Sequence, residues 1–221
     1  MPSYYPEELT RRSRAILEKL RAWRETTSAK VTVIGGWAVH ELVEEGRGQL
    51  SRDLDIVVHD GATLTAFDQI IPSWGLEWKP LRFTGEGIGC RDKGDTSATI
   101  LVDVFTTEFF DPRPVGIPWP PIRKPLGTAD FIPTTEFLLL DKIQTVAARQ
   151  GHEADDKQAK DLLDIHRLVF HNRAGLTPRQ LLLAAKPGAR RQAASRIARA
   201  KQTRPQFAPD FDVVQRWLEA A

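Results

Sequence analysis

The chain has 221 residues, enough for one large domain or two small ones sharing an interface, and a core of that size needs no covalent staple. Its 31 basic and 29 acidic residues leave a formal net charge of +2, which by itself points to no partner because the average hides the distribution. A single cysteine, Cys90, excludes an internal disulfide; with no Cys/His cluster at zinc spacing, a reducing intracellular setting is expected and Cys90 reads as a small buried residue. No apolar run approaches membrane-spanning length, and the start of the chain lacks a basic segment followed by an apolar one, so the expectation is a cytoplasmic protein with no membrane partner.

From about Pro6 to Arg24, Leu9, Ile16, Leu17, Leu20 and Trp23 recur at helical spacing with Arg and Lys between them, which predicts an amphipathic helix. Val31 to Ile34 is short and β-branched. It stops at Gly35-Gly36, after which residues 37–43 read as helix until Gly46. Leu54 to Val58 is the next strand, followed by a helix around Thr63 to Ile71 that Pro72 ends. Shorter strands fit Leu76 to Phe83 and Ile88 to Arg91, and Ala98 to Thr106 is a strand apolar but for Asp103.

Six prolines between Pro112 and Pro125 interrupt regular structure, while Ile117, Trp119 and Ile122 give the stretch apolar anchors, so it reads as an irregular crossing segment. Everything after it has helical spacing: Thr134 to Gln150, Asp155 to Phe170, Thr177 to Ala185, Ala189 to Lys201 and Asp210 to Ala220. The expectation is an α+β protein: a mixed β-sheet core with flanking helices over residues 1–130, then an all-helical region over 131–221.

The carboxylates of the first half carry the chemistry. Side chains alternate along a strand, so Asp53 and Asp55 are expected to point the same way while Leu54 and Ile56 enter the core. Two carboxylates side by side repel unless a cation lies between them, and hard oxygen ligands suit Mg²⁺ or Mn²⁺. Asp103, between Val102 and Val104, would be costly if buried without a partner. A lone Asp is more often a turn or strand-edge residue; the strand, Gly-Gly, helix order ahead of the pair makes the set more specific than its parts. Gly35-Gly36 adds backbone N–H groups at a helix start, where an anion can approach.

Ile34-Gly35-Gly36-Trp37, Ser51-Arg52-Asp53-Leu54-Asp55-Ile56 and Leu101-Val102-Asp103-Val104 together resemble the signature of nucleotidyltransferases of the DNA polymerase β superfamily. The resemblance implies a Mg²⁺- or Mn²⁺-dependent enzyme that transfers a nucleoside monophosphate from an NTP to a hydroxyl acceptor, releasing pyrophosphate. It implies metal binding by Asp53, Asp55 and Asp103, and phosphate contacts from Gly35, Gly36 and Arg52. Gly36 departs from the pattern, since many members have serine there.

In the helical half, Lys142, Thr145 and Arg149 share one face, with Leu139, Ile143, Val146 and Ala147 on the other, and Lys157, Lys160, Asp161 and Asp164 share a face of the next helix. Solvated faces with ion pairs are the ordinary explanation. Leu140-Asp141-Lys142, Arg149 and Lys160-Asp161-Leu162-Leu163-Asp164-Ile165 are also similar to the helical motifs of the AbiEii/MenT-like nucleotidyltransferase toxins. That resemblance implies Lys142 on the NTP phosphates, Asp161 as a catalytic acid, and Arg149, Lys160 and Asp164 in support. It also implies tRNA as the RNA acceptor and, for a toxin, a cognate antitoxin protein.

Seven Lys or Arg and no Asp or Glu occur from Lys186 to Arg204, which would suit an RNA backbone. Its thin apolar content, Ala and Ile197, predicts a peripheral helix. An antibiotic nucleotidyltransferase is the alternative, acting on an aminoglycoside or lincosamide with Glu86, Asp92 and Asp95 as sources of acceptor contacts. A non-catalytic nucleotide- or RNA-binding module is a third reading. His40 and His59 read as packing or surface residues, and Trp37 as a core residue with base stacking as its functional alternative.

Overall fold

The computed structural model describes residues 7–44, 51–78, 88–92, 100–106, 131–148, 154–177, 180, 187–203, 205 and 208–219. The expected crossing segment from Pro112 to Pro125, Arg149, Glu86, Asp95 and nearly all of the expected Thr177 to Ala185 helix lie outside these residues.

The elements are α1 (Glu7–Thr27), β1 (Val31–Ile34), α2 (Gly35–Leu42), β2 (Leu54–Val58), α3 (Gly61–Ile70), a 3-10 turn (Ile71–Trp74), β3 (Leu76–Trp78), β4 (Ile88–Asp92) and β5 (Leu101–Thr106). There follow α4 (Thr135–Ala148), α5 (Ala154–Phe170), α6 (Pro187–Thr203) and α7 (Ala208–Glu219). The chain divides into two compact units. One holds residues 7–38, β2, α3, β3, β4, β5 and 131–133; the other holds 39–44 and 134–219.

In the first unit the described strands form one mixed sheet in the order β1-β2-β5-β4-β3. Only β2 and β5 are parallel. Their neighbouring register brings Leu54 opposite Val102 and Ile56 opposite Val104, all four buried, so this face of the sheet is core. Strand β1 is buried at all four positions, which is why it reads as a continuous apolar run rather than an alternation.

Helix α1 buries the stripe expected of it, Leu9, Ile16, Leu17, Leu20 and Trp23. The Trp23 ring stands 5.9 Å from Phe67 and 6.1 Å from Trp74, and Phe67 in turn meets Trp74 and Trp78 edge-on at 5.9 and 6.0 Å. Each such pair adds about 0.5–1.5 kcal/mol beyond area burial, so this aromatic cluster ties α1 to α3 and the turn after it. Trp37 is fully buried and donates from Nε1 to Ser13 Oγ at 2.7 Å, which fixes α2 to α1 and makes the tryptophan core.

Helix α3 begins earlier than its apolar pattern suggests because Asp60 caps it, accepting from Thr63 N at 2.8 Å. Helix α2 stops at Leu42, short of Gly46. Val43 bridges to Asn172, Glu44 N donates to His171 O at 2.8 Å, and Arg173 N donates to Leu42 O at 2.8 Å, so the chain beyond Leu42 pairs with the segment after α5 instead of continuing as helix.

The second unit is helical. Helix α4 packs on α5 and α6, and α7 packs on α5 and α6. Leu138, Leu139, Ile143, Leu162, Ile165, Ile197 and Phe211 are fully buried among them. The expectation of a peripheral α6 is therefore corrected. Ala193, Ala194 and Ile197 are all buried, because small side chains let neighbouring helices approach closely and so make an interface without a wide apolar stripe.

Candidate active site

Within the first unit, β2 and β5 place Asp55 directly opposite Asp103, and β1 places Ile34 opposite Asp55. The two carboxylates therefore stand side by side on the face opposite Leu54, Ile56, Val102 and Val104, and both are half-buried. Like charges in direct register on neighbouring strands are unfavourable.

Gly35 completes this corner. Its φ is +68°, a left-handed conformation suited to glycine. A Cβ there would collide with Asp55 Oδ2 and come within 3.0 Å of its Cγ and 3.2 Å of its Cβ. The space that a side chain would take at the start of α2 is thus given to the Asp55 carboxylate, at the end of the helix where the dipole favours negative charge. Among the described residues Gly36 is not one of the glycines with positive φ, so the two glycines have different jobs.

Asp53 differs from the alternation argument. The strand starts at Leu54, where pairing with Val102 begins, and Asp53 lies in the bend before it. Its carboxylate takes a forked contact from Arg52, Nε to Oδ1 at 2.9 Å and an Nη nitrogen to Oδ2 at 3.1 Å. Arg52, expected on phosphate, thus rests on an acid of the same motif.

Among the described residues no group of three or more His, Cys, Asp or Glu side chains is close enough to hold a metal ion. The donors nevertheless fit a hard divalent cation: two carboxylates in register, a backbone cradle that a Cβ would fill, and a third acid, Asp53, whose bond to Arg52 would have to open.

The second unit holds a separate ionic cluster. Lys142 of α4 is 5% exposed, and its Nζ donates to Asp161 Oδ1 at 2.8 Å. Asp164 Oδ2 lies at the same distance, but outside hydrogen-bonding geometry, so this second contact is an ion pair without an aligned hydrogen bond. Burial pulls the Lys142 ammonium's pKa down, yet the attraction of Asp161 and Asp164 outweighs it and leaves the pKa raised. Arg167 approaches Asp164 Oδ1 at 3.6 Å.

Lys142 and Asp161, expected together, are therefore in direct contact, and the face they share is interior rather than solvated. Lys160 remains partly exposed on α5. Arg167 was absent from the expected set; its position three residues after Asp164 was the available signal. Outside these clusters, Cys90 is buried, and His59 pairs with Thr32 Oγ1 through Nε2 at 2.8 Å, its pKa lowered mainly by burial.

No family model and no curated protein matches the chain. Among solved structures it is similar to an antigenic nucleotidyltransferase-like protein from Paracoccidioides brasiliensis, at 16% identity and TM-score 0.49, with 93% of each chain covered. It is similar also to JHP933 from Helicobacter pylori, at 15% identity and TM-score 0.49, covering 97% of this chain and 95% of that one. MenT4, a nucleotidyltransferase toxin from Mycobacterium tuberculosis H37Rv, is similar at 18% identity and TM-score 0.40, over 75% of this chain and 55% of that chain.

Proposed function

We propose that this chain is a nucleotidyltransferase that moves a nucleoside monophosphate from an NTP onto a hydroxyl acceptor, with the 3′ end of tRNA as the favoured acceptor, in a toxin-like setting with a cognate antitoxin. The observation that carries the reading is the register of Asp55 with Asp103 beside a glycine whose missing side chain makes room for Asp55. Like charges in direct register on neighbouring strands repel, and a divalent cation between them would remove that cost.

In this reading Asp55 and Asp103, joined by Asp53, would hold Mg²⁺ or Mn²⁺, which when bound would supply charge neutralisation for the triphosphate and acidity for the acceptor hydroxyl. The acceptor oxygen attacks the α-phosphorus. The new P–O bond forms as the bond to the β-phosphate's bridging oxygen breaks, pyrophosphate leaves with that electron pair, and the acceptor proton passes to a carboxylate oxygen of Asp103. Gly35 and Gly36 offer backbone N–H groups to phosphate oxygens, and Arg52, if released from Asp53, would offer its guanidinium to phosphate.

Lys142 is assigned to positioning. Its ammonium already satisfies Asp161 and Asp164, and reaching a phosphate would leave both carboxylates buried without it. Lys160 of α5 is kept as a supporting residue, the role the resemblance implies for it. RNA is favoured as acceptor by the basic content of α6, where Arg191 is exposed and Arg196, Arg199 and Lys201 are half-exposed.

The non-catalytic module has one observation in its favour, the closed Arg52–Asp53 pair. Incubation with each α-labelled NTP, Mg²⁺ and total RNA, followed by size separation, distinguishes the readings. A discrete labelled band of tRNA size is expected. Label appearing instead on an aminoglycoside or lincosamide would move the acceptor to a small molecule, and Mg²⁺-dependent NTP binding without transfer to any acceptor would leave the module.

A further inference from the structure

Between α6 and α7, wholly inside the helical unit, lies a cavity of about 540 Å³. That is the size range of small-molecule sites. Ala194 and Ala198 of α6 and Leu218 of α7 give it apolar walls. One wall also carries Arg190, which is only 8% exposed and whose Nε has no hydrogen-bond partner among the described residues.

A guanidinium has five donors in a planar fork, and a buried one with an unmet donor is costly unless an anion completes it. Arg191 and Ser195 lie on the same lining, adding a second cation and a hydroxyl. The acid of the lining is Glu219, which accepts from Gln215 Nε2 at 2.7 Å, so part of its charge is already satisfied. Two cations against one engaged carboxylate leave the cavity short of negative charge.

We propose that the α6–α7 cavity binds a small amphipathic anion, with one phosphate or carboxylate on Arg190 and an apolar body against Ala194, Ala198 and Leu218. An RNA backbone would draw on exposed cations spread along α6. A buried arginine beside alanines and a leucine fits a compact ligand with one charged end and one apolar end. The site is independent of the carboxylates of the sheet, so its test avoids nucleotides.

Phenyl phosphate, octanoate and inorganic phosphate, each titrated into the full chain and followed by calorimetry and by methyl NMR of Leu218, test the proposal. Saturable binding of phenyl phosphate or octanoate with a shift of the Leu218 methyls is expected, together with much weaker binding of inorganic phosphate. Arg190→Met should weaken binding by roughly tenfold or more, the loss of a charge-assisted hydrogen bond. Ala198→Phe should block it by filling the cavity while leaving Arg190 in place. Circular dichroism establishes that each variant is folded; if Arg190→Met is not, Ala198→Phe decides alone. No saturable binding, equal affinity in wild type and folded variants, inorganic phosphate binding as tightly as phenyl phosphate, or binding of an RNA oligonucleotide in place of the small anions would each overturn the proposal.

Discussion

The Asp55 carboxylate occupies the place where a side chain on Gly35 would be. The first residue of α2 is thus bare where a carboxylate of β2 stands, and the constraint runs in both directions, since a shorter side chain at 55 would leave a gap against the helix start.

Gly35→Ala should therefore be damaging twice over. The positive φ strains any L side chain by about 1–3 kcal/mol, and the new methyl group displaces Asp55. Thermal unfolding should show the first effect. The second should appear as loss of nucleotide transfer beyond what the remaining folded fraction explains, and as recovery of stability, but not of transfer, when Asp55→Ala is combined with it.

Lys142→Met should cost about 3–5 kcal/mol, because it leaves Asp161 and Asp164 buried without their cation. Denaturant unfolding measures this. Asp161→Asn should cost less, since Asp164 still accompanies the ammonium. A Lys142→Met protein of wild-type stability with a raised KM for NTP would instead place Lys142 on phosphate.

Asp60→Ala removes the cap of α3 and should cost about 1 kcal/mol. Hydrogen bonds from the Thr63 backbone and side chain, then Lys30, lower the Asp60 pKa from 3.8 to about 2. The folded state therefore binds its proton later than the unfolded state. The ionised cap contributes fully above the unfolded value and its contribution is lost as pH falls from there through about 2. Thermal melts over this range should show a shallower acid loss for Asp60→Asn than for wild type.

Features that depend on local pattern were legible in the sequence. Strands β1, β2 and β5 and the glycine turn follow from β-branched runs and the glycine pair, whereas the facing of Asp55 and Asp103 depends on β2 pairing with β5 in parallel register, which no local pattern states. Asp53 precedes the strand whose bounds, Leu54 to Val58, were already legible, so alternation did not apply to it, and its carboxylate meets Arg52 instead. Lys142 and Asp161 could be placed on helix faces, but their burial depends on α4 meeting α5. The burial of α6 was hidden for a similar reason: Ala193 and Ala194 have little hydrophobicity to advertise an interface, and Arg190 looks like a surface residue until its neighbours are known.

The most direct measurement is transfer of label from α-labelled NTP to tRNA by wild type, Asp55→Asn and Asp103→Asn, each checked for folding by its thermal melt. Both substitutions keep the side-chain shape and remove a charge from the paired carboxylates. Wild type should transfer label only with Mg²⁺ or Mn²⁺, and each variant should lose more than about a hundredfold of that rate, because loss of a direct ligand should exceed the roughly 10–100-fold typical of outer-shell partners. Transfer by folded Asp55→Asn and Asp103→Asn at the wild-type rate would contradict the account.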